Sequence, residues 1–168
     1  MAEAYLALGS NLGDPFAALA DARDRLEQSQ VVIAHASRLY RTPPFGPVVQ
    51  PAFVNQCLRV KTALEPHALL ALCLDIEHEM GRERTERWGP RRIDIDLLAH
   101  GDQVIADERL TLPHPGILHR AFVLVPLIDI APELTIAGTA IVDALARLDR
   151  SGIVEIDTGT IPPRRGNP

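Results

Sequence analysis

The chain has 168 residues, and its 17 basic and 22 acidic side chains give a net charge of −5. This length predicts one domain that can bury about 70 % of its unfolded surface, enough for a hydrophobic core. Apolar residues make up 46 % and charged residues 23 %, which excludes disordered and fibrous classes, and the acidic balance argues against a general nucleic-acid binder. The basic residues are unevenly placed: Lys61 is the only lysine, and five of the sixteen arginines fall between Arg82 and Arg92.

The ends and the cysteines indicate a cellular location. Met1–Tyr5 contains no basic residue and no long apolar run, so no secretory signal is predicted. No stretch approaches the roughly 18 to 20 apolar residues that a membrane span needs. Cys57 and Cys73 lie in apolar surroundings without metal or redox spacing, and they are expected to be buried, reduced thiols. We therefore expect a soluble cytoplasmic protein.

The first quarter of the chain predicts a strand, a turn and a helix. Tyr5–Leu8 is an apolar run typical of a buried strand, and Gly9–Gly13 is interpreted mainly as the tight turn that ends it. Asp14 followed by Pro15 is a strong helix start, because the carboxylate caps free N–H groups and proline suits the first helical position. The helix should reach about Gln28, with an inner face formed by Phe16, Leu19, Ala20 and Leu26.

The following segments predict the rest of a sheet. Val31–Arg41 is rich enough in β-branched and apolar residues for a second strand, whereas Thr42–Pro51 contains four prolines and is expected to be an irregular loop. Phe53–Lys61 predicts a third strand, and Glu65–Met80 predicts a helix capped by Gly81. Later elements are expected as a fourth strand at Ile93–Ala99, a short strand at Val104–Ile105, and helices at Phe122–Ile130 and Ala140–Leu148.

This order of elements predicts an α+β protein with a ferredoxin-like β-α-β-β-α-β arrangement. Such a fold has an antiparallel sheet with helices on one face, here followed by C-terminal helical additions. The other face of the sheet would then be free to hold a ligand. Residues 1–160 are expected to form a single domain, and residues 161–168 are expected to be a disordered tail.

The clearest chemical signal is the pair of acidic residues in the fourth strand. Alternate residues of a strand share a face, so Asp94 and Asp96 should project together while Ile93, Ile95 and Leu97 point into the core. Carboxylate oxygens close together suit Mg²⁺, which is commonly bound by one or two carboxylates plus substrate phosphates. Taken alone, an Asp-x-Asp pair is also typical of the solvated face of an ordinary strand.

The segment before these aspartates favours the magnesium interpretation. It carries five arginines, whose fixed guanidinium groups suit phosphate oxygens at any pH, although Glu83 and Glu86 would also fit a solvated charged turn. Carboxylates for magnesium beside arginines for phosphates are what phosphoryl transfer requires, since that reaction depends on positioning and charge stabilisation. A P-loop is excluded, because the chain has no GxxxxGK[ST] motif and its one lysine lies within a predicted strand.

Few aromatic residues are present, and some suit a flat ligand. Phe45 lies in the proline-rich loop, where no periodic pattern calls for a core residue, and Asn55 shares a strand face with Phe53. Aromatic rings can stack on a heterocycle while an amide reads its edge. Ordinary core packing is the alternative interpretation for Phe53 and Phe122.

Three further alternatives remain open at this point. His114 and His119 could join the aspartates in a zinc site, although Leu112–Pro115 is typical of a rigid loop. A nucleotidyltransferase also uses an Asp-x-Asp pair and a Gly-Ser turn, but here Ser10 precedes Asp94 by 84 positions. A ferredoxin-like ligand-binding module would have no use for a carboxylate pair beside five arginines.

Four stretches, in this order, resemble the 6-hydroxymethyl-7,8-dihydropterin pyrophosphokinase family of folate biosynthesis: Leu8–Gly13, Arg41–Pro44, Gly81–Asp96 and Leu112–Pro115. The resemblance covers about residues 4–136. It implies transfer of the β,γ-diphosphate of ATP to the hydroxymethyl group of the pterin, with release of AMP. The implied partners are these two small molecules. Neither nucleic acid nor membrane is expected as a partner, and a monomer is expected.

The resemblance also implies roles for individual residues. Asp94 and Asp96 would hold two Mg²⁺ ions, and Arg82 and Arg91 would steady the transferring group. The implied nucleotide-binding residues are Glu77, Arg84, Arg87, Trp88, Leu97, Arg109, Thr111, His114 and Arg120. The implied pterin-binding residues are Thr42, Pro43, Pro44, Phe45, Phe53, Asn55 and Phe122. Two positions depart from the family pattern, since Leu74 stands where some members carry glutamine and Phe53 where tyrosine is common.

Overall fold

The structure, a computed structural model, describes residues 1–44, 46–81 and 92–157. Its strands are β1 (Ala2–Ser10), β2 (Val31–Ala36), β3 (Tyr40–Thr42), β4 (Phe53–Thr62), β5 (Asp94–His100), β6 (Ile105–Ala106), β7 (Thr111–Leu112), β8 (Thr135–Ile136), β9 (Thr139–Ala140) and β10 (Val154–Glu155). Its helices are α1 (Pro15–Glu27), α2 (Pro66–Glu79), α3 (Ala121–Ile130) and α4 (Ile141–Ala146), with a single 3-10 turn at Ile117–His119.

The main sheet is antiparallel throughout, with strand order β10-β3-β4-β1-β5 and with β2 also paired to β4. Strand β4 is long enough to pair with β1 along one edge and with both β2 and β3 along the other. The predicted ferredoxin-like order is confirmed, because the first and third predicted strands are neighbours and the fourth lies on the other side of the first. Strands β6–β7 and β8–β9 form separate hairpins.

The prediction of one continuous strand over Val31–Arg41 is wrong, because the strand is interrupted after Ala36. The N–H of Ser37 still donates to the Cys57 carbonyl, but the N–H of Cys57 donates to the Ser37 hydroxyl, each at 2.9 Å. A side-chain oxygen thus takes the place of a backbone carbonyl, and the ladder resumes only at Tyr40. The first strand is longer than predicted, since it continues through Gly9 to Ser10.

Helix α1 begins as its sequence predicts. The Asp14 carboxylate accepts hydrogen bonds from the N–H groups of Phe16 and Ala17, at 3.1 and 3.2 Å. Leu19 and Leu26 are buried, but the third buried residue is Ala22, whereas the predicted Ala20 is only half-buried. The core against α1 and α2 is formed by one face of β1, β4 and β5.

The second face of the sheet is partly covered, so the expectation that this face is free is wrong. Helix α3 packs against β4 there, and a second apolar cluster unites Tyr5, Cys57 and Leu98 with residues of α3 and α4. The cause is the composition of α3, where seven of ten residues are buried, so that it is stable only when it is enclosed. Among the described residues, a cavity lies at the end of the sheet that carries Gly9 and Asp94.

Both cysteines are buried and free, as predicted. Burial raises the pKa of the Cys73 thiol to about 12. Across the three described ranges, no helix combines the length and the apolar character needed to cross a membrane.

Candidate active site

The register of the three central strands brings distant residues into one row. Gly9 of β1 is paired with Asn55 of β4 on one side and with Asp94 of β5 on the other. A second row, two residues along and on the same face, consists of Cys57, Ala7 and Asp96. The two aspartates therefore share a face with the amide of Asn55, as the alternation of the strands predicts.

These two rows form the floor of a cavity of about 150 Å³. Its walls combine aromatic and apolar groups with a few polar ones, which is typical of a small-molecule site. The lining residues that the sequence also singles out are Thr42, Pro43, Phe53, Asn55, Asp94, Asp96, Arg120 and Phe122. A ligand in this cavity would therefore lie between aromatic side chains and the two carboxylates.

Asn55 is held in place at the bottom of the cavity. Its Nδ2 donates a hydrogen bond to the hydroxyl of Thr42, which is itself only 1 % exposed. At the entrance of α3, the guanidinium of Arg120 lies over the ring of Phe122, 6.0 Å from its centre. Both polar groups are thus oriented before any ligand binds.

A second cavity, of about 320 Å³, lies at the outer edge of β5 between α2 and the β6–β7 hairpin. Leu70 and Leu74, one helical turn apart, contribute apolar surface to it. The remaining lining residues are Glu77, Ile95, Asp96, Leu97, Arg109, Leu110, Thr111, His114 and Pro115. Asp96 lines both cavities, so the two open onto the same carboxylate.

Glu77 fixes the strand that carries the aspartates. Its side chain is 3 % exposed, and its Oε1 accepts a hydrogen bond of 2.7 Å from the N–H of Ile95. This N–H lies on the outer edge of β5, where no further strand of the described sheet satisfies it. Because Ile95 is flanked by Asp94 and Asp96, the buried carboxylate holds both of them at a fixed depth.

His114 is half-buried in the second cavity. Burial lowers the pKa of its ring below the usual value, and the nearby Arg120 adds to this effect while Asp96 opposes it. Nδ1 accepts a hydrogen bond of 3.1 Å from the N–H of Gly116, which assigns any ring proton to Nε2. The ring can therefore donate one hydrogen bond to a ligand from Nε2.

The structure separates the predicted residues into two groups. Phe53, Asn55 and Phe122 meet in the first cavity, whereas Arg109, Thr111 and the other described nucleotide-site candidates meet in the second. Arg120 is an exception, since it lines the first cavity beside the aspartates, and Pro44 is not part of either lining. The candidates that lie outside the described residues are Phe45, Arg82, Arg84, Arg87, Trp88 and Arg91.

Some lining residues were not predicted. The sequence predicts Gly9 as part of a turn, but this residue lies in the strand at the floor of the first cavity. The sequence predicts Cys57 only as a buried thiol, and its place below the cavity follows from its pairing with Ala7. The glycine-containing stretch after Leu8 is typical of a turn, and it conceals the continuation of the strand to Ser10.

The aspartates fit magnesium better than zinc. Asp94 and Asp96 are half-buried, share a cavity and offer only carboxylate oxygens, which suits a hard cation that also takes water and phosphate ligands. Within residues 1–44, 46–81 and 92–157, no group of three or more His, Cys, Asp or Glu side chains is placed to hold a metal ion. The zinc alternative with His114 and His119 thus lacks a ligand set in this part of the chain.

Comparison with known proteins is consistent with this arrangement. The family model for 7,8-dihydro-6-hydroxymethylpterin-pyrophosphokinase matches residues 5–132. A 2-amino-4-hydroxy-6-hydroxymethyldihydropteridine pyrophosphokinase of Methylorubrum extorquens is 49 % identical over 158 residues, covering 94 % of this chain and 100 % of the relative. A protein of the same name from Haemophilus influenzae is 40 % identical, covering 88 % of this chain and 92 % of the relative.

The solved structures show the fold. The wild-type HPPK-DHPS protein of Plasmodium falciparum, crystallised with SDX-DHP, matches with a TM-score of 0.67 and 18 % identity, covering 87 % of this chain and 43 % of the longer one. An HPPK-DHPS in complex with substrates matches with a TM-score of 0.69 and 15 % identity, covering 86 % of this chain and 43 % of the other. Fold and sequence together define a transferase of the kinase class. The chain belongs to the 7,8-dihydro-6-hydroxymethylpterin-pyrophosphokinase family.

Proposed function

We propose that this enzyme transfers the β,γ-diphosphate of ATP to the hydroxymethyl oxygen of 6-hydroxymethyl-7,8-dihydropterin. The observation that carries the proposal is the position of Asp96, which borders both cavities. A heterocycle in one cavity and a nucleotide in the other would meet with their reacting groups at the same pair of carboxylates. Membership of the family supports this assignment of substrates.

The first cavity suits the pterin. Phe53 and Phe122 offer apolar ring surface to a flat heterocycle, and Asn55 can donate and accept hydrogen bonds at its edge. Thr42 orients the Asn55 amide from behind. Phe53 carries no hydroxyl, so recognition on that side is by contact with the ring. Pro43, which also lines this cavity, adds apolar surface.

The second cavity suits the nucleotide. Leu70 and Leu74 supply apolar surface for a base, while Arg109, Thr111 and His114 supply hydrogen-bond donors. Leu74 has no polar group, so the base must be read by other groups than this side chain. Glu77 lines the same cavity and accepts the hydrogen bond from the N–H of Ile95. Leu97 adds to the apolar lining.

Asp94 and Asp96 would hold two Mg²⁺ ions, which neutralise charge on the triphosphate and on the group being transferred. Arg82 and Arg91 are proposed to steady that group, with Arg84, Arg87 and Arg120 as further phosphate contacts and Trp88 beside the nucleotide. The family resemblance supports these roles, and for Arg120 its place beside the aspartates supports it too. Pro44 and Phe45 stay proposed pterin contacts on the same resemblance.

The reaction needs no covalent intermediate on the protein. The pterin hydroxyl oxygen attacks the β-phosphorus of ATP, the bond from that phosphorus to the α,β-bridging oxygen breaks, and AMP leaves with the oxygen while the hydroxyl proton is released. The protein contributes by positioning the two substrates and by stabilising charge, which together account for most of the acceleration of phosphoryl transfer. The hydrogen bond from the N–H of Ile95 to Glu77 anchors the backbone between the two carboxylates.

The two-cavity assignment is tested by substituting one residue from each. Asn55→Ala should raise the KM for the pterin about 10-fold or more while leaving the KM for ATP within about twofold, since one buried polar contact is worth about 1–3 kcal/mol. Arg109→Ala should do the reverse. The matched control is Arg147→Ala, an exposed arginine at the end of α4. Equal effects of both substitutions on both substrates would contradict the assignment.

Three further points belong to the same proposal. Residues 1–160 are proposed to form one domain, and the enzyme is proposed to act as a monomer in the cytoplasm. Sedimentation velocity of the purified chain, with and without both substrates, tests the oligomeric state. A single species at the monomer mass of 18.4 kDa is expected, and a dimer in either sample would refute it.

A further inference from the structure

We propose that Gly9 is a positioning residue for the pterin-binding amide: the absence of its side chain is what allows Asn55 to lie flat on the sheet. This inference rests on the proposed function, because it names the residue that gives the first cavity its floor. Gly9 touches neither reacting group itself, and it acts through Asn55.

The space around Gly9 carries the inference. A Cβ added to this residue would lie 2.5 Å from Asn55 Oδ1, and 3.7 Å from both Asn55 Cγ and Phe53 Cδ1. A separation of 2.5 Å is far inside van der Waals contact, so any larger residue must displace the amide. The three nearest atoms all belong to Asn55 and Phe53, and none belongs to Asp94 on the other side of the strand. The disturbance is therefore expected first at Asn55 and Phe53, on the pterin side.

Backbone conformation does not explain this glycine. Gly9 is not among the glycines with positive φ, and it lies within a regular ladder between β4 and β5. Ala7, two residues earlier on the same face of the same strand, carries a Cβ beside Cys57 and Asp96. Glycine is thus required at position 9 for space alone.

A hydrogen bond also holds the Asn55 amide in its present position. Its Nδ2 is bonded to the hydroxyl of Thr42, so a shift away from Gly9 strains or breaks that bond. The amide would also rise into the cavity, where it would occupy volume needed by the ligand. A displaced amide loses its polar contact with the pterin edge, so Gly9→Ala should weaken pterin binding about 10-fold or more, as expected for the removal of Asn55 itself.

The experiment measures pterin and ATP-analogue affinity of the full chain by isothermal titration calorimetry, with Mg²⁺ present, for wild type and Gly9→Ala. The expected result is a pterin Kd raised about 10-fold or more and a nucleotide Kd within about twofold of wild type. The matched control is Gly138→Ala in the β8–β9 turn, where φ is +81° and no atom lies within 4 Å of an added Cβ. That variant bears backbone strain without touching the cavity, and its pterin Kd should stay within about twofold.

A double-variant cycle with Asn55→Ala tests whether Gly9 acts through the amide. With the amide removed, adding Gly9→Ala should change the pterin Kd by less than about twofold, because residues in contact are not additive. Full additivity of the two changes would overturn the proposal, as would a single Gly9→Ala variant that binds the pterin like wild type.

Thermal unfolding of the four proteins of this cycle (wild type, Gly9→Ala, Asn55→Ala and the double variant) covers the case in which Gly9→Ala does not fold. Asn55→Ala should then restore the melting temperature of the double variant, and failure to restore it would refute the steric origin. This readout needs no substrate. A wild-type protein that binds no pterin would therefore refute the proposed function while leaving the role of Gly9 to be decided by the melting temperatures.

Discussion

Asp94 and Asp96 lie on either side of Ile95, whose N–H donates to the buried carboxylate of Glu77. Alternation along a strand predicts that the two aspartates share a face, and it requires only local information. The role of Glu77 depends instead on where α2 packs against β5, which no local pattern specifies. Removing a buried acceptor of this kind lowers the free energy of unfolding most when the donor is left without a partner.

Glu77→Ala should therefore lower the free energy of unfolding by about 1–3 kcal/mol, because the N–H of Ile95 would lose its acceptor. Glu77→Gln, which keeps a carbonyl oxygen, should restore most of that loss. Urea denaturation followed by circular dichroism measures both. Glu79→Ala is the control, since that residue is exposed and its ion pair with Arg25 is worth about 1 kcal/mol or less. Equal losses at the two glutamates would contradict the assigned role.

Gly9 shows where reasoning from single residues fails. A glycine followed by serine, asparagine and a second glycine is typical of a turn, and the prediction ended the first strand there. The strand continues because Gly9 pairs with residues 46 and 85 positions away, Asn55 and Asp94. Such pairing is a property of the assembled sheet.

At the scale of elements, the hydrophobic pattern predicts the long segments, but of the two-residue strands it predicts only β6, through the short strand expected at Val104–Ile105. Helices α1 and α2 and strands β4 and β5 have enough residues for a period to be visible. The hairpins β6–β7 and β8–β9 and strand β10 have two residues per strand, too few for any period. The break between β2 and β3 escaped prediction because it depends on the hydroxyl of Ser37 bonding to Cys57.

A charged cluster joins three of these elements. Asp129 of α3 pairs with Arg38 at 2.8 Å and accepts a hydrogen bond of 2.8 Å from Tyr40 of β3, while Arg38 also pairs with Glu155 of β10 at 2.9 Å. Burial alone would raise the pKa of the Asp129 carboxyl, but the hydrogen bonds from Arg38 and Tyr40 outweigh it and lower the pKa. The ionised form of Asp129 thus stabilises the fold.

This cluster predicts a pH-dependent stability. Because the pKa of Asp129 is lowered in the folded state, the stabilisation by its carboxylate is fully present above the pKa of the unfolded state, about 3.9. This stabilisation is lost as the pH falls through the pKa of the folded state. Asp129→Asn should lower the free energy of unfolding by about 1 kcal/mol at pH 6 and by less at pH 3. The value at pH 6 is small because solvent screens the exposed guanidinium of Arg38. Urea denaturation of both proteins at the two pH values measures the difference. A cost that is the same at pH 3 and pH 6 would contradict an ionic contribution from Asp129.

For the whole molecule, the sequence predicts the order of the sheet and the class of chemistry but not the way the site is enclosed. The ferredoxin-like order follows from the succession of strands and helices. The closure of the second face by α3 does not, because it depends on an apolar helix finding a partner surface. Among the described residues, α3 closes part of this face, and a cavity of about 150 Å³ lies at the end of the sheet that carries Asn55 and Asp94.

The net charge of the whole molecule bears on large anionic partners but not on small ones. A total of −5 argues against large polyanions such as nucleic acids. It does not argue against a single triphosphate, since five arginines precede the two aspartates within eleven residues, from Arg82 to Arg92. Counting charges over the chain conceals this concentration.

The most direct test of the account follows the β-phosphorus of ATP. Wild-type enzyme is incubated with Mg²⁺, 6-hydroxymethyl-7,8-dihydropterin and ATP labelled at that phosphorus, and products are separated by chromatography, with Asp94→Ala and a reaction lacking pterin as controls. The account predicts pterin-dependent formation of AMP, with the label in the pterin diphosphate, and no product in either control. Formation of ADP, or release of labelled inorganic pyrophosphate with AMP joined to the pterin, would contradict it.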